Sequence, residues 1–94
     1  MTTYTPTNKH DLRAALINAD TGDHITYNVG TCLDPDHYAK RLMMQLQGFG
    51  AVNLVQSTSQ PASKINCRIF HYKAIRTSQK LNRKLQLLIE EALA

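Results

Sequence analysis

Basic side chains dominate one long stretch of this 94-residue chain, and their chemistry is that of anion binding. From residue 40 to residue 84, here called the basic interval, there are nine lysines and arginines and no acidic residue. Cations without neighbouring carboxylates create a positive field wherever they are exposed, and that field attracts a polyanion or an acidic protein surface. The pattern therefore favours binding over catalysis. The basic residues of the interval are Lys40, Arg41, Lys64, Arg68, Lys73, Arg76, Lys80, Arg83 and Lys84.

Two cysteines and two histidines match the ligand count of a structural zinc site, but their spacing does not. They are Cys32, His37, Cys67 and His71. Cys67 and His71 lie four residues apart on a predicted strand, which separates their Cα atoms by about 13 Å at a rise of about 3.3 Å per residue. One zinc ion cannot bridge that gap, so we expect no metal and no other cofactor.

Candidate catalytic groups are few. Cys32 and His37 could act as nucleophile and base, but no third group that would orient the histidine can be identified. The acids at 20, 23, 34 and 36 fit turns and helix starts, where a carboxylate stays ionised and is a poor general acid. We therefore expect that the protein is not an enzyme.

The composition is that of one small globular domain spanning residues 1–94. Hydrophobic residues make up 43% of the chain and charged residues 19%, with a formal net charge of +4. This balance excludes a disordered chain. No apolar run approaches the ~20 residues of a membrane span, and the first residues lack the basic and apolar regions of a signal peptide. Two cysteines are too few for a disulfide scaffold, so the sequence predicts reduced thiols in a cytoplasmic protein with no membrane contact.

Hydrophobic periodicity and turn residues predict an α+β protein with the element order α-β-α-β-β-α, a small antiparallel sheet packed with helices. A flexible N-terminal arm is expected at 1–7. Asn8 then caps a helix over 9–19, with Asp11 three residues further on. Apolar and polar residues alternate over 24–29 and predict a strand.

The segment Asp34-Pro35-Asp36 carries the strongest local signal in the chain. Aspartate as N-cap, proline at the first helical position and aspartate in the first turn each favour a helix start for a separate reason. They predict a helix over 36–47, and two glycines at its end supply the stop.

The second half of the chain predicts a strand over 51–56, a polar loop over 57–63 and a longer strand over 65–76. The apolar face of the longer strand changes midway, as it would at a bulge, at a bend, or where the strand is covered on both sides. Ser78 is positioned to cap a final helix over 78–93.

Leucine spacing in the final helix fits two roles. The stripe is wide enough to pack on the chain's own sheet, and its 4-3-4 spacing also fits a seam between two subunits. We expect a homodimer, and the interface residues on this hypothesis are Leu81, Leu85, Leu88 and Ala92.

The order helix, strand, loop and strand from residue 34 to residue 76 resembles the second half of a winged-helix domain, as in small regulators of phages and other mobile elements. The segments that carry the resemblance read DPDHYAKRLMMQLQGFGAVNLVQ and INCRIFHYKAIR. The version is abbreviated, because the residues between Val29 and Asp34 leave no room for the usual middle helix. The resemblance implies a helix in the major groove of DNA and a hairpin wing on the backbone. The implied DNA contacts are His37, Lys40, Arg41, Met44 and Gln45 on the helix, with Lys64 and Arg68 on the wing.

Together these patterns predict a regulator that binds double-stranded DNA through helix 36–47 and a basic hairpin over 51–76. Phe70 and Tyr72 could stack on bases, although core packing fits them better. A phage-type inhibitor or adaptor that docks on an acidic host protein, such as a polymerase or a defence complex, would use the same positive surface, so that alternative stays open. The expected nucleic-acid-binding residues are Lys40, Arg41, Gln45, Lys64, Arg68, Lys73, Arg76 and Lys80.

Overall fold

Three helices and four strands make up the part of the chain that the structure, a computed structural model, describes: residues 2–31, 35–63, 67–77 and 81–94. The predicted α+β class and the order of the six longer elements are confirmed, and a short first strand is added. The strands are Thr3–Tyr4 (β1), His24–Thr31 (β2), Val52–Pro61 (β3) and Arg68–Arg76 (β4), and the helices are Lys9–Asn18 (α1), Pro35–Gly48 (α2) and Arg83–Ala92 (α3).

The four strands form one mixed sheet in the order β1-β2-β4-β3. β4 pairs antiparallel with β2 from His24↔Ile75 to Thr31↔Arg68, and antiparallel with β3 on its other side. β1 joins β2 in parallel. The predicted hairpin is therefore present as β3 and β4, and β4 is a central strand with a neighbour on each side. The parallel pairing of β1 makes the sheet mixed, whereas an antiparallel sheet was predicted.

The N-terminal segment, predicted as a flexible arm at 1–7, instead adds to the sheet. Thr3 pairs with His24, and the Asn28 N–H donates to the carbonyl of Pro6 over 3.2 Å. The edge of β2 offers unpaired backbone groups, and the N-terminal segment satisfies them. The local sequence has no feature that predicts this long-range pairing.

One face of the sheet is covered by all three helices. Side chains alternate between the two faces of a strand, and residues 25 and 27 of β2 and 70, 72 and 74 of β4 point to the covered face, where they are buried. The helices contribute Leu12 and Leu16 from α1, four residues of α2, and Leu85 and Ile89 of α3. This apolar cluster is the core that positions every exposed side chain discussed below. The α2 members are Ala39, Leu42, Met43 and Leu46.

The opposite face, here called the open face, carries no helix among the described elements. Its side chains on β2 and β4 are half-buried or exposed, with none fully buried. They are largely polar, which suits a sheet surface in contact with water. The members are His24, Thr26, Asn28, Ile69, His71, Lys73 and Ile75.

Local capping chemistry explains where two of the helices begin. The Asp11 N–H donates to Asn8 Oδ1 over 2.8 Å and Asn8 Nδ2 donates back to Asp11 Oδ2 over 3.0 Å, so the predicted cap of α1 is confirmed. α3 begins at residue 83 because Asn82 Oδ1 accepts the Leu85 N–H over 2.8 Å. The predicted cap, Ser78, lies outside the described residues.

α2 ends in a glycine turn, as predicted. Gly50 has a φ of 80°, in the left-handed region that only glycine enters without strain. At 14 residues α2 is the longest described helix, and none of these helices is long and apolar enough to cross a bilayer.

β3 is longer than the sequence predicts. Residues 57–61, expected in a loop, continue the strand and pair with β4 as far as Pro61↔Arg68. The bulge expected in 65–76 lies instead in β3, between Leu54 and Gln56. Pairing with a central strand satisfies the backbone of this polar segment, which overrides the weak strand propensity of its serines and glutamines.

Cys67 lies in a disulfide rather than as a reduced thiol, which corrects the expectation for this residue. The only other cysteine in the sequence, Cys32, lies outside the described residues. Cys67 immediately precedes Arg68, the first residue of β4. The crosslink therefore fixes the start of the central strand covalently.

We predict that the chain has no titratable thiol until it is reduced and has two afterwards, matching its two cysteines. Reduction should lower the free energy of unfolding by about 2–4 kcal/mol, as is typical when a native crosslink is lost. Thiol titration in denaturant, followed by urea unfolding of both forms, measures this. Free thiols in unreduced protein would contradict the crosslink.

Asp23 is a buried carboxylate that holds the N-terminal segment to the turn after α1. Its Oδ1 accepts the Thr2 N–H over 3.0 Å and its Oδ2 accepts the Asp20 N–H over 2.9 Å. These two backbone donors hold the pKa of Asp23 below its usual value, Thr2 having the larger effect.

A lowered pKa means that the folded state binds the Asp23 proton less tightly than the unfolded chain does. The stabilisation is therefore present above the ordinary pKa of an aspartate and is lost as the pH falls through the folded-state pKa. We predict that Asp23→Asn lowers the free energy of unfolding at pH 7 and that the deficit shrinks below about pH 4. Urea unfolding across this range measures both; a deficit independent of pH would contradict the role of the charge.

Candidate nucleic-acid interface

The exposed face of α2 is basic and polar. Ala39, Leu42, Met43 and Leu46 turn into the core, so the helix period directs the intervening side chains to solvent. Two adjacent cations therefore stand on the outer surface beside side chains that could reach base edges. The exposed residues are Lys40, Arg41, Met44, Gln45 and Gln47, and the side chain of His37 lies outside the described part.

Arg68 provides a cation on the hairpin. It has the same parity along β4 as Phe70 and Tyr72, so it points to the helix side of the sheet, and it is exposed. Its Nη2 donates to Ser59 Oγ across the strand pair over 3.0 Å. Arginine has five N–H donors in a planar fork, so one bond to a neutral hydroxyl steadies the group and leaves donors for a phosphate.

Arg68 and the start of α2 belong to the same end of the molecule. Thr31, the last residue of β2, is the Cα partner of Arg68. α2 begins at Pro35, and four residue steps span at most about 14 Å. Lys40 and Arg41 follow within two turns of that start. Three exposed cations therefore lie on the helix side, on elements that meet near the start of α2.

Lys73 faces away from these cations. It is exposed on the open face, with Thr26 and Gln56 as its Cα partners on either side. Nearby on that face, His71 Nδ1 lies 2.6 Å from Asn28 Oδ1. A sheet separates Lys73 from α2, so the sequence prediction that grouped it with Lys40 and Arg41 needs correction.

Arg76 is buried, which corrects its assignment as a phosphate contact on the exposed surface. Its side chain is 3% exposed. Nη1 donates to the carbonyl of Ala51 over 2.8 Å and to Thr77 Oγ1 over 3.3 Å, while Nε makes no hydrogen bond within the described residues. Burial lowers the pKa of Arg76 from its usual value. The side chain of Arg76 therefore links the end of β4 to the turn after α2 by a hydrogen bond.

The basic interval extends to a surface that the predicted site omitted. Arg83 and Lys84 are exposed in the first turn of α3, which packs against α2. A cavity of about 310 Å³ lies between the end of α2 and the start of α3. The residue that identifies this surface in the sequence is Asn82. As the N-cap of α3, it places Arg83 and Lys84 in the first turn of the helix. Lys64 and Lys80 lie outside the described residues.

The leucine stripe of α3 is used by the chain's own core. Leu85 is 2% exposed, and Leu81 and Ala92 are partly buried against the same core. Leu88 is half-buried beside the cavity between α2 and α3. The prediction that Leu85 lies at a subunit interface is therefore wrong, whereas dimerisation itself stays a prediction.

Phe70 and Tyr72 are core residues rather than stacking platforms. Their exposed fractions are 5% and 0%. Their rings stack on each other with centroids 6.3 Å apart and planes inclined by 13°. Bases have no access to either ring, so Phe70 and Tyr72 do not contribute to binding by stacking.

No group of three or more metal-ligating side chains comes together within the described residues. Of the four residues considered for zinc, Cys32 and the side chain of His37 lie outside the described part. Cys67 is engaged in a disulfide and His71 faces Asn28 on the open face. The described chemistry of the helix side is that of cations, hydroxyls and amides.

We predict opposite stability effects for the two arginines of β4. Arg76→Met removes the buried hydrogen bond to the carbonyl of Ala51 and the weaker one to Thr77 Oγ1, and should cost about 2–4 kcal/mol of unfolding free energy. Arg68→Met, at an exposed site, should change it by no more than about 0.5 kcal/mol. Urea unfolding of both variants measures the difference. Equal stability of the two would contradict the structural role of Arg76.

Comparison with known proteins finds no matching family model, no matching curated protein and no matching solved structure. Function therefore has to be inferred from the geometry of this chain alone.

Proposed function

We propose that this protein binds double-stranded DNA through the exposed face of α2 and the helix side of the β3–β4 hairpin. The observation that carries the proposal is that Lys40, Arg41 and Arg68 are all exposed on the helix side of the fold. Duplex DNA is the polyanion whose regular spacing of phosphates suits a helix and a projecting hairpin used together.

The hairpin supplies the chemistry of backbone contacts. Arg68 is a bidentate donor to phosphate oxygens. Ser57 and Ser59 are exposed and have the same orientation as Arg68, since each pairs with a β4 residue of the covered face. Serine hydroxyls donate to phosphates without reading sequence. The hairpin therefore contributes affinity and orientation.

The helix supplies side chains that can read base edges. Arginine donates in bidentate fashion to guanine, and glutamine both donates to and accepts from adenine in the major groove. Arg41 and Gln45 are four residues apart on α2 and both exposed, so they project from the same strip of the helix. Any sequence preference is assigned to this pair, with Lys40 on the flanking backbone.

An acidic protein surface is the second candidate partner, and one observation favours it. Met44 and Leu87 are 49% and 54% exposed on the same helix side as the cations. Apolar side chains rimmed by charge are typical of protein–protein interfaces. An inhibitor or adaptor would bury both residues, whereas DNA binding through α2 and the hairpin does not require Leu87 to be buried.

We predict that the affinity for random duplex DNA falls steeply with salt, log K decreasing by about 0.9 per phosphate contacted for each unit of log salt. Arg68→Ala should reduce that slope by about one, because one phosphate contact is lost. Lys73→Ala is the matched control, because it removes the same charge from the same strand on the opposite face. Fluorescence anisotropy at several salt concentrations measures all three proteins.

Two results would overturn the proposal. Absence of duplex binding at about 50 mM salt would exclude the DNA hypothesis and leave the acidic-protein alternative. If Arg68→Ala and Lys73→Ala reduce the slope of log K against log salt equally, the phosphate contacts are not confined to the helix side.

Within the DNA proposal, α2 and the hairpin have distinguishable roles. We predict that Arg41→Ala narrows the affinity gap between a selected site and random duplex, at a cost of about 1–3 kcal/mol on the selected site. Arg68→Ala should weaken both duplexes by the same factor. Selection from a random library followed by paired titrations measures this, and identical behaviour of the two variants would contradict α2 as the reading element.

A further inference from the structure

β3 forms a free edge of the sheet. It pairs with β4 on one side, and no described strand lies on the other. It is 10 residues long, whereas β1 at the opposite edge has two. A free edge presents unpaired N–H and C=O groups that can add a further strand.

Both ends of β3 carry features that obstruct such pairing. The bulge between Leu54 and Gln56 interrupts the strand, and the outward N–H of Leu54 is occupied by Gln47 Oε1 of α2 at 2.8 Å. At the other end Pro61 has no N–H to donate. These features leave residues 56–60 as the part of the edge open to a partner, and all five side chains there are exposed.

The open part of the edge is complementary to itself. It reads Gln56-Ser57-Thr58-Ser59-Gln60, which is the same in both directions. In an antiparallel pair of two copies centred on Thr58, glutamine lies opposite glutamine and serine opposite serine. Hydroxyl-bearing pairs across strands are favourable, and a closed two-fold contact requires such self-complementarity.

Charge also points to a second copy as the partner. The chain carries a net charge of +4, so most contacts between two copies bring like charges together. β3 has no charged residue along its whole length. A two-fold contact there avoids like charges directly opposite one another, which destabilise a strand pair.

We propose that two copies of this chain associate through their β3 edges, antiparallel about a two-fold axis at Thr58, so that two four-stranded sheets become one. In this register Val55, which is 62% exposed, lies opposite Pro61 of the second copy and loses part of its contact with water. Residues directly opposite each other in an antiparallel pair point to the same face of the sheet. The helices of both copies therefore lie on the same side of the joined sheet. The association does not depend on DNA binding.

The test uses the prediction that Thr58 of one copy lies directly opposite Thr58 of the other. Thr58→Lys places two ammonium groups together at the axis, and Thr58→Glu places two carboxylates there. Each variant alone should raise the dimer dissociation constant by roughly tenfold or more. An equimolar mixture should dimerise again, because lysine then lies opposite glutamate. Asn53→Lys is the control: it adds the same charge on the same strand, outside the paired residues, and should dimerise as the unmodified chain does.

Sedimentation velocity of the full chain over about 1–200 µM measures these constants, with circular dichroism to verify that each variant is folded. An unmodified chain that stays monomeric throughout would overturn the proposal. So would a Thr58→Lys variant that dimerises normally, or a mixture of the two charged variants that fails to recover. If Thr58→Lys does not fold, Thr58→Glu against Asn53→Glu provides the same comparison.

Discussion

The alternation of side chains along β4 is the constraint on which the rest of the structure depends. β4 lies between β2 and β3, so each of its residues must point either into the core or onto the open face. Phe70, Tyr72 and Ala74 point inward and complete the cluster that receives all three helices. Arg76 points to the same face as these three residues and is buried, and its guanidinium donates a hydrogen bond to the carbonyl of Ala51. Arg68 also points to this face but lies at the strand's exposed end, where it stays available to a ligand.

This alternation divides the charge of the basic interval into separate surfaces. Lys73 belongs to the open face, whereas Lys40, Arg41 and Arg68 belong to the helix side. The nine cations of the basic interval therefore do not form one patch, and Arg76 has a structural role. Binding to a polyanion therefore depends on the cations that the fold places on one surface, because residues on opposite faces of a sheet cannot contact the same ligand surface.

Features with local causes could be predicted from the sequence, and features with distant causes could not. The Asn8 cap, the start of α2 and the glycine turn after it depend on residues within one turn of each other, and the sequence identified them. β1 pairs with residues 21 positions away, and residues 57–61 of β3 pair with residues 7 to 15 positions away in β4. Neither partner can be identified from the composition of the segment itself, so the polar residues 57–61 predict a loop. The burial of Arg76 could not be recognised for the same reason, since its partner, Ala51, is 25 residues away.

Methyl resonances offer the most direct test of which side of the sheet meets the ligand. Met44 is exposed on α2, and Ile69 and Ile75 lie on the open face. The measurement is a titration of methyl-labelled protein with a short duplex DNA, followed by carbon–proton correlation spectra. Binding through the helix side predicts that the Met44 resonance shifts with duplex concentration while those of Ile69 and Ile75 stay in place. Shifts at the two isoleucines with an unmoved Met44 would contradict it.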